Sequence, residues 1–283
     1  MTVRIVTDST SDLPPETARE LGITVVPLNV HFGDLRYQDS VDIGPDEFYR
    51  KLAQGPILPT TSQPSPGDVI EVYRKLGGEA GDIISIHVSA KLSGTYNSAM
   101  LAVRELEAGP RIEVIDSRLV SAALGVVVIV AAKAAQLGKG LEEVKALIHR
   151  TIPKVQILAL IDTLEYLHRG GRIGKAQELL GSILKMKPMI TIKDGEVYPA
   201  GRVRTRAKAI DRLVEVLTTF TNIEELCIVH STSHEDAEKL ADRAASVFPR
   251  ERIYITQFGP VVGVYVGPGS LGWALVERDA ISP

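Results

Sequence analysis

One cysteine, Cys227, in 283 residues excludes a disulfide framework within the chain. It lies in the apolar run ELCIVH, which marks a buried, unreactive thiol. Charge of one sign is also missing. The 32 Lys and Arg against 35 Asp and Glu leave a net charge of −3 with no basic block. That argues against a nucleic-acid partner, which needs a phosphate-neutralising stripe. Long apolar runs are nearly absent. The longest, Val120 to Gly138, reaches the roughly 18 residues at which a membrane span comes into question. It is Ala-rich, contains Lys133 and is flanked by amphipathic segments, so a buried helix is expected and no integral membrane segment. MTVRIVTDST starts a strand and does not read as a signal peptide, so a cytoplasmic location is expected. What remains is ordinary for a globular protein: 45% apolar and 24% charged residues, enough for one large or two medium domains.

The first half alternates strands and helices. VRIVTDS reads as a strand and SDLPPETARELG as a helix, with Asp12 as its cap and Gly22 past its end. ITVVPLNVHFG is extended, and GPDEFYRKLAQG and SPGDVIEVYRKLGG are helices. A strand over Ile83–Val88, a helix from Ser93 to about Leu106, the strand RIEVIDS, the Ala/Val helix and LEEVKALIHRTIP follow. This βαβ rhythm predicts a parallel sheet covered by helices. The second half mixes the strand VQILALID, the helices TLEYLHRG and KAQELLGSILK, and a hairpin MITIKDGEVYPA turning at Asp194-Gly195. Two helix–strand pairs come next, and PVVGVYVGPGSLGWALV reads as closing strand. The expected fold is α/β: a parallel-sheet α/β domain over 1–152 and an α+β domain over 153–283, with a cleft between them.

Three strands of the first half end in small polar residues, at Thr7–Ser11, Ser89–Thr95 and Asp116–Arg118. Ligands of open parallel sheets bind beyond the carboxyl ends of strands, so hydroxyls gathered there suit a site. Caps and turns are the competing reading for Asp8, Ser9, Asp12 and Asp116. A fourth cluster, Thr60-Thr61-Ser62, lies between Pro59 and Pro64 in a loop that the prolines hold extended or turned. Thr61 comes several residues too early to cap the next helix. Ser93-Gly94-Thr95 alone is equally a cap, a nucleophile or an anion seat.

Several motifs are excluded. GGRIGKA lacks the spacing and final hydroxyl of a phosphate-binding loop, and GPGSLG has only about a dozen residues after it, too few for a dinucleotide fold. Ser93 follows Lys91-Leu92, so no G-x-S-x-G elbow exists. His230 and His234 have chelating spacing only within a helix, and His230 falls at a strand end, so no metal is expected. No cofactor site is visible.

Seven segments in order resemble the DegV family of bacterial fatty-acid-binding proteins: IVTDSTSDLP, PTTSQPSPGD, SAKLSGTYNSA, VIDSRLVSAALG, LHRGGRIG, KMKPMITIKDGEV and GPVVGVYVGPGSLG. The resemblance implies a lipid held between two domains, its carboxylate against Thr61 and Ser93. Ser62, Gly94, Thr95, Arg172 and Tyr265 are the supporting residues it suggests. It further implies roles in lipid transport or fatty acid metabolism, palmitate being a typical ligand. Some members present the fatty acid to a separate fatty acid kinase subunit that makes an acyl phosphate. Arg202, Arg204 and Arg206 match a basic segment suited to that contact. One departure stands out: Tyr265 occupies a position where many members carry histidine, and tyrosine donates a hydrogen bond without a positive charge near neutral pH.

The chemistry of the residues agrees with a carboxylate seat. A carboxylate only accepts hydrogen bonds, and hydroxyls with a helix start supply donors. About 15 buried methylenes are worth up to about 12 kcal/mol gross, so the tail supplies most of the affinity. Two other readings use the same cleft: a hydrolase or acyl transferase with Ser93 as nucleophile, for which His87 is a candidate base, and a small-molecule sensor.

Overall fold

The structure, a computed structural model, describes residues 2–278 apart from 56, 78–80, 107–108 and 181–185. Its strands are β1 (Thr2–Asp8), β2 (Thr24–Val26), β3 (Asn29–Phe32), β4 (Leu35–Gln38), β5 (Thr60–Ser62), β6 (Gly81–His87), β7 (Ile112–Asp116), β8 (Val155–Leu160), β9 (Lys187–Lys193), β10 (Glu196–Val203), β11 (Ile223–His230), β12 (Tyr254–Gln257) and β13 (Leu271–Glu277). Its α-helices are α1 (Pro15–Glu20), α2 (Pro45–Gln54), α3 (Pro66–Gly77), α4 (Thr95–Glu105), α5 (Ala122–Gln136), α6 (Leu141–Thr151), α7 (Glu165–Arg169), α8 (Arg206–Leu217), α9 (His234–Ala244) and α10 (Pro260–Val266).

The first sheet, ordered β2-β1-β6-β7, is wholly parallel. Strand alternation sends Val3, Ile5, Ile84 and Ile86 into one core, and Val6 and Ile83 into another under α3 and α4. The second sheet, ordered β10-β9-β8-β13-β11-β12, is antiparallel except for the β11–β12 pair. Leu158, Leu160, Leu271 and Trp273 face α8 and α9. The alternate residues Ala159, Ala274 and Val229 face the core that contains α5. The chain is therefore α/β, with a parallel sheet followed by an α+β part.

Helix α5 is buried on every side from Ala122 to Ala135 except at Lys133, and it contacts β1, β8, β11 and β13. Lys133 reaches out to pair with the buried Glu225 of β11. At 15 residues α5 is about 22 Å long, short of a bilayer core of about 30 Å. Among the described residues no helix is long and apolar enough to cross a membrane.

Four expectations change. PVVGVYV forms α10, not a strand, so GPGSLG follows a helix. Pro260 fits the first turn, and the i, i+4 pairs Val261–Tyr265 and Val262–Val266 fall on one face, so packing overrides the β-branched preference for strand. Asp12 does not cap α1, whose N-cap Pro14 makes no side-chain bond. Asp12 sits instead in a left-handed conformation, its carboxylate buried against Gly259 and Ser121. Thr60–Ser62 is a strand rather than a loop, pairing antiparallel with β3 in a small β4-β3-β5 sheet. The box that caps α3 comes from Ser65 and Asp68. KAQELLGSILK begins as a 3-10 helix over Gly174–Leu179 rather than an α-helix, and its residues 181–185 lie outside the described ones.

Gly125 of α5 meets the first sheet's loop closely: a Cβ there would sit 2.7 Å from the Ser11 carbonyl oxygen. Gly→Ala inside a helix ordinarily stabilises by about 1 kcal/mol. Here overpacking against backbone costs about 1–3 kcal/mol and outweighs it. Gly125→Ala is expected to lower the free energy of unfolding in a urea titration; an increase would contradict this packing.

Candidate functional site

A cavity of about 410 Å³ lies between the second sheet, α10 and the strand ends of the first half. Its walls are apolar, with Ile157, Ala159, Ile190, Val229, Phe258 and Val262 among them. Hydroxyls that border it away from β5 are engaged elsewhere. Thr10 bonds Asp8 at 2.6 Å, Ser121 bonds Asp12 at 2.5 Å, and Thr191 bonds the Ile157 carbonyl at 2.7 Å. The lumen they border is therefore left without their donors.

Polar groups converge where β5 meets the start of α4. Thr61, Ser62, Gln63, Ser93 and Gly94 line the cavity together with Arg172 and Tyr265. Thr61 Oγ1 lies 2.5 Å from the Tyr265 hydroxyl, joining residues 204 apart in sequence. Ser93 Oγ lies 2.8 Å from Thr95 Oγ1 and accepts from the Thr95 N–H at 3.3 Å. Each pair holds two O–H groups and consumes one between its oxygens, so each retains one proton to donate. Two hydroxyl donors at one end of an apolar cavity match the two oxygens of a carboxylate.

The remaining groups position these. Thr95 is fully buried and does not line the cavity; it acts on Ser93 from below. Ser62 bonds His31 Nε2 at 2.9 Å and so fastens β5 to β3. Gly94 has no room for a side chain because the Gln63 amide occupies its Cβ position, and that amide donates to Ser98 Oγ at 3.0 Å. Arg172 donates to the carbonyls of Leu92 (3.1 Å) and Gly170 (2.8 Å), and its guanidinium lies 5.3 Å from the Tyr265 ring centre. It is the positive charge nearest Tyr265 among the lining side chains. Arg202 and Arg204 are exposed and do not line the cavity. Arg206 turns inward, bonded to Asp236, Ser233 and the Gly269 carbonyl.

His87, the candidate base for Ser93, is fully buried, with Nδ1 3.0 Å from Asp8 and Nε2 2.7 Å from Ser85 Oγ. Both ring nitrogens are thus engaged away from Ser93. Asp8 also accepts from Thr10 and so caps the turn that follows β1, as a cap reading expects; Asp116 accepts from the Ala90 and Arg118 amides in a turn. Burial raises the Cys227 thiol well above its ordinary range, in keeping with an inert cysteine. His230 and His234 stand at a strand end and the next helix start, 3.4 Å apart, beside Asp46. Among the described residues no group of three or more His, Cys, Asp or Glu is arranged to hold a metal.

The family model described as "Uncharacterised protein, DegV family" matches residues 2–278. The chain belongs to the DegV family. A DegV domain-containing protein of Halalkalibacterium halodurans is 39% identical over 276 residues, 95% of this chain and 96% of that one. Among solved structures, a DegV family protein from Thermus thermophilus, described for its fatty acid binding, superposes with a TM-score of 0.91 at 37% identity, covering 98% of this chain and all of that one (100%). DegV from Bacillus subtilis, described as a fatty acid binding protein, gives 0.89 at 30% identity with 98% and 100% coverage. A stearic acid-binding protein of Eubacterium ventriosum gives 0.89 at 26% identity with 97% and 98% coverage.

Several site residues were not legible beforehand. Gln63 stood inside a quoted motif, but its contact with Gly94 is tertiary. Val261, Val262 and Val266 were hidden by the strand reading of α10. The buried acids behind the cavity also appear only in three dimensions. Asp39 is raised to about 6, chiefly by burial, with hydrogen bonds from Ser40, Ser9 and Val261 opposing the shift. Because its folded value exceeds the unfolded one, protonated Asp39 favours the fold, and that contribution is lost as pH rises through about 6. Relative to Asp39→Asn, the wild-type protein is expected to lose about 2–3 kcal/mol of stability between pH 4 and 7. Parallel curves for the two proteins would contradict it.

Proposed function

We propose that this chain binds one long-chain fatty acid, its carboxylate held by Thr61 and Ser93 and its acyl tail in the apolar cavity. The observation that carries this is the pair of spare hydroxyl donors at one end of a cavity whose other bordering hydroxyls are spent. The names of the Thermus and Bacillus structures support the ligand class. With Tyr265 as donor in its pair with Thr61, the Thr61 proton is directed toward the carboxylate, and Arg172 supplies positive charge beside it. On this reading residues 1–152 carry most of the carboxylate seat, and 153–283 cover the tail and contribute Arg172 and Tyr265.

The chain then acts as a cytoplasmic carrier in lipid transport or fatty acid metabolism, without catalysis of its own. A separate fatty acid kinase subunit is the partner this suits, with the exposed Arg202 and Arg204 as contacts. Arg206, tied to Asp236, anchors that segment instead. Tyr265 carries no positive charge near neutral pH where many family members carry histidine, so Arg172 is the cation beside the head group. Acyl phosphate formed from the loaded protein, ATP and a fatty acid kinase catalytic subunit would support the partnership.

The binding reading has two tests. Native mass spectrometry of gently purified protein is expected to show one fatty acid per chain; a chain that stays empty when offered palmitate and oleate would sink the proposal. Each charge-assisted hydrogen bond is worth about 1.5–3 kcal/mol. Thr61→Val and Ser93→Ala are therefore expected to weaken palmitate binding about 10- to 100-fold in a fluorescent-ligand displacement assay, and hexadecanol binding far less. Equal losses for acid and alcohol would place the carboxylate elsewhere.

A further inference from the structure

The costliest side chains to bury lie outside the fatty acid site described above. Asp8, Asp12 and Asp39 are each at most 6% exposed and lie within electrostatic reach of one another. Asp8 has His87 as a partner. Asp12 and Asp39 have no lysine or arginine partner among the described residues. Unpaired buried carboxyl groups persist where they stay protonated or hydrogen-bond partners hold them, and those partners identify what the acids do.

Both converge on the start of α10. The Gly259 N–H donates to Asp12 Oδ1 at 2.8 Å, and the Val261 N–H donates to Asp39 Oδ2 at 3.3 Å. Hydroxyls complete the shells: Ser121 on Asp12 Oδ2, and Ser40 on Asp39 Oδ1 at 2.9 Å. A Cβ on Gly259 would lie 3.1 Å from Asp12 and 3.2 Å from Asp39, so the missing side chain is what lets the two carboxylates close on one residue. The Thr256 hydroxyl adds a bond to the Asp12 carbonyl at 2.6 Å. Other titratable groups facing this cluster are Tyr49 of α2, whose hydroxyl donates to the Phe258 carbonyl at 3.4 Å, and Cys227 of β11. Helix α10, held in this way, presents Val261, Val262, Tyr265 and Val266 to the cavity.

We propose that Asp12 and Asp39 are positioning residues of the ligand site: they bracket the first turn of α10 through its backbone amides and so set Tyr265 against Thr61. The proposal rests on the fatty acid reading of the cavity. It gives two acids from the first 40 residues a defined task at a helix beginning at residue 260. The contact needed is an acceptor oxygen at each amide. Asparagine retains that oxygen, and its NH2 can donate to Ser121 or Ser40, whereas alanine removes it.

The test is palmitate affinity by displacement of a fluorescent fatty acid. Asp12→Ala and Asp39→Ala are expected to bind at least 10-fold more weakly, and Asp12→Asn and Asp39→Asn within about 3-fold of wild type. Because the acids act through Tyr265, the Asp39→Ala/Tyr265→Phe double variant should bind no more than about 3-fold more weakly than the weaker single variant. Unaffected alanine variants, or losses that multiply in the double variant, would overturn the proposal. Should an alanine variant fail to fold, Gly259→Ala takes its place: it should weaken binding at least 5-fold, with little effect in the Tyr265→Phe background. A wild-type chain that takes up no palmitate defeats the fatty acid reading rather than the bracket. Hydrogen exchange then decides: the Gly259 and Val261 amides exchange slowly in wild type and at least 10-fold faster in a folded Asp39→Ala or Gly259→Ala variant, while unchanged exchange overturns the bracket.

Discussion

A helix with no polar face has to be covered on every side, and α5 is such a helix. The parallel sheet covers it through β1, and the second sheet covers it through β8, β11 and β13. Lys133, its one charged side chain, reaches Glu225 and fastens it to β11. This shared burial fixes the carboxyl-end loops of the first sheet above the inner face of the second. The cavity occupies the same layer, bounded by residues such as Ala159 and Gly272 on the sheet and Val120 and Ser121 at the start of α5. At Gly272 a Cβ would lie 2.8 Å from the Leu158 carbonyl oxygen, so this stretch of floor stays at backbone height.

Polarity inside that layer is distributed unevenly. Hydroxyls along the walls turn to Asp8, Asp12 or a carbonyl, so an alkyl chain meets their carbon atoms. Hydroxyls at the β5–α4 end are paired with one another and keep donors to spare. A neutral apolar ligand would leave those donors unsatisfied, at about 1–3 kcal/mol each. On the proposed reading an anionic head group satisfies them and an alkyl chain fills the apolar remainder of the cavity. The same accounting disfavours Ser93 as a nucleophile, since its oxygen is bonded to Thr95 while His87 is held by Asp8 and Ser85.

Much of the fold can be read from local pattern. The alternation in VRIVTDS and the Asp194-Gly195 turn, both residues at positive φ, form as their chemistry dictates. The Ala/Val-rich helix also lies where its composition sends it, in the interior. The segment PVVGVYV does not follow its composition. Its valines favour strand, but a strand would not place Tyr265 against Thr61 or Gly263 against the rings of Phe48 and Tyr49, and those contacts exist only once the two halves meet. Asp12 is misread for a related reason. A polar residue before a helix resembles a cap, and only the tertiary fold brings the Gly259 amide to it. Thr61, Ser93, Arg172 and Tyr265 were legible through family resemblance. Gln63 and the α10 valines were not, because spacing along the chain carries no record of a contact made across it.

The account stands or falls on where a bound carboxylate sits. A crystal structure of the protein with palmitate measures that directly. The account predicts one carboxylate oxygen at about 2.5–2.7 Å from Thr61 Oγ1 and the other at a similar distance from Ser93 Oγ, with the chain running past Ala159 and Val262. Palmitate with its carboxylate in solvent or at the opposite end of the cavity, and its methyl terminus against Thr61 and Ser93, would contradict it.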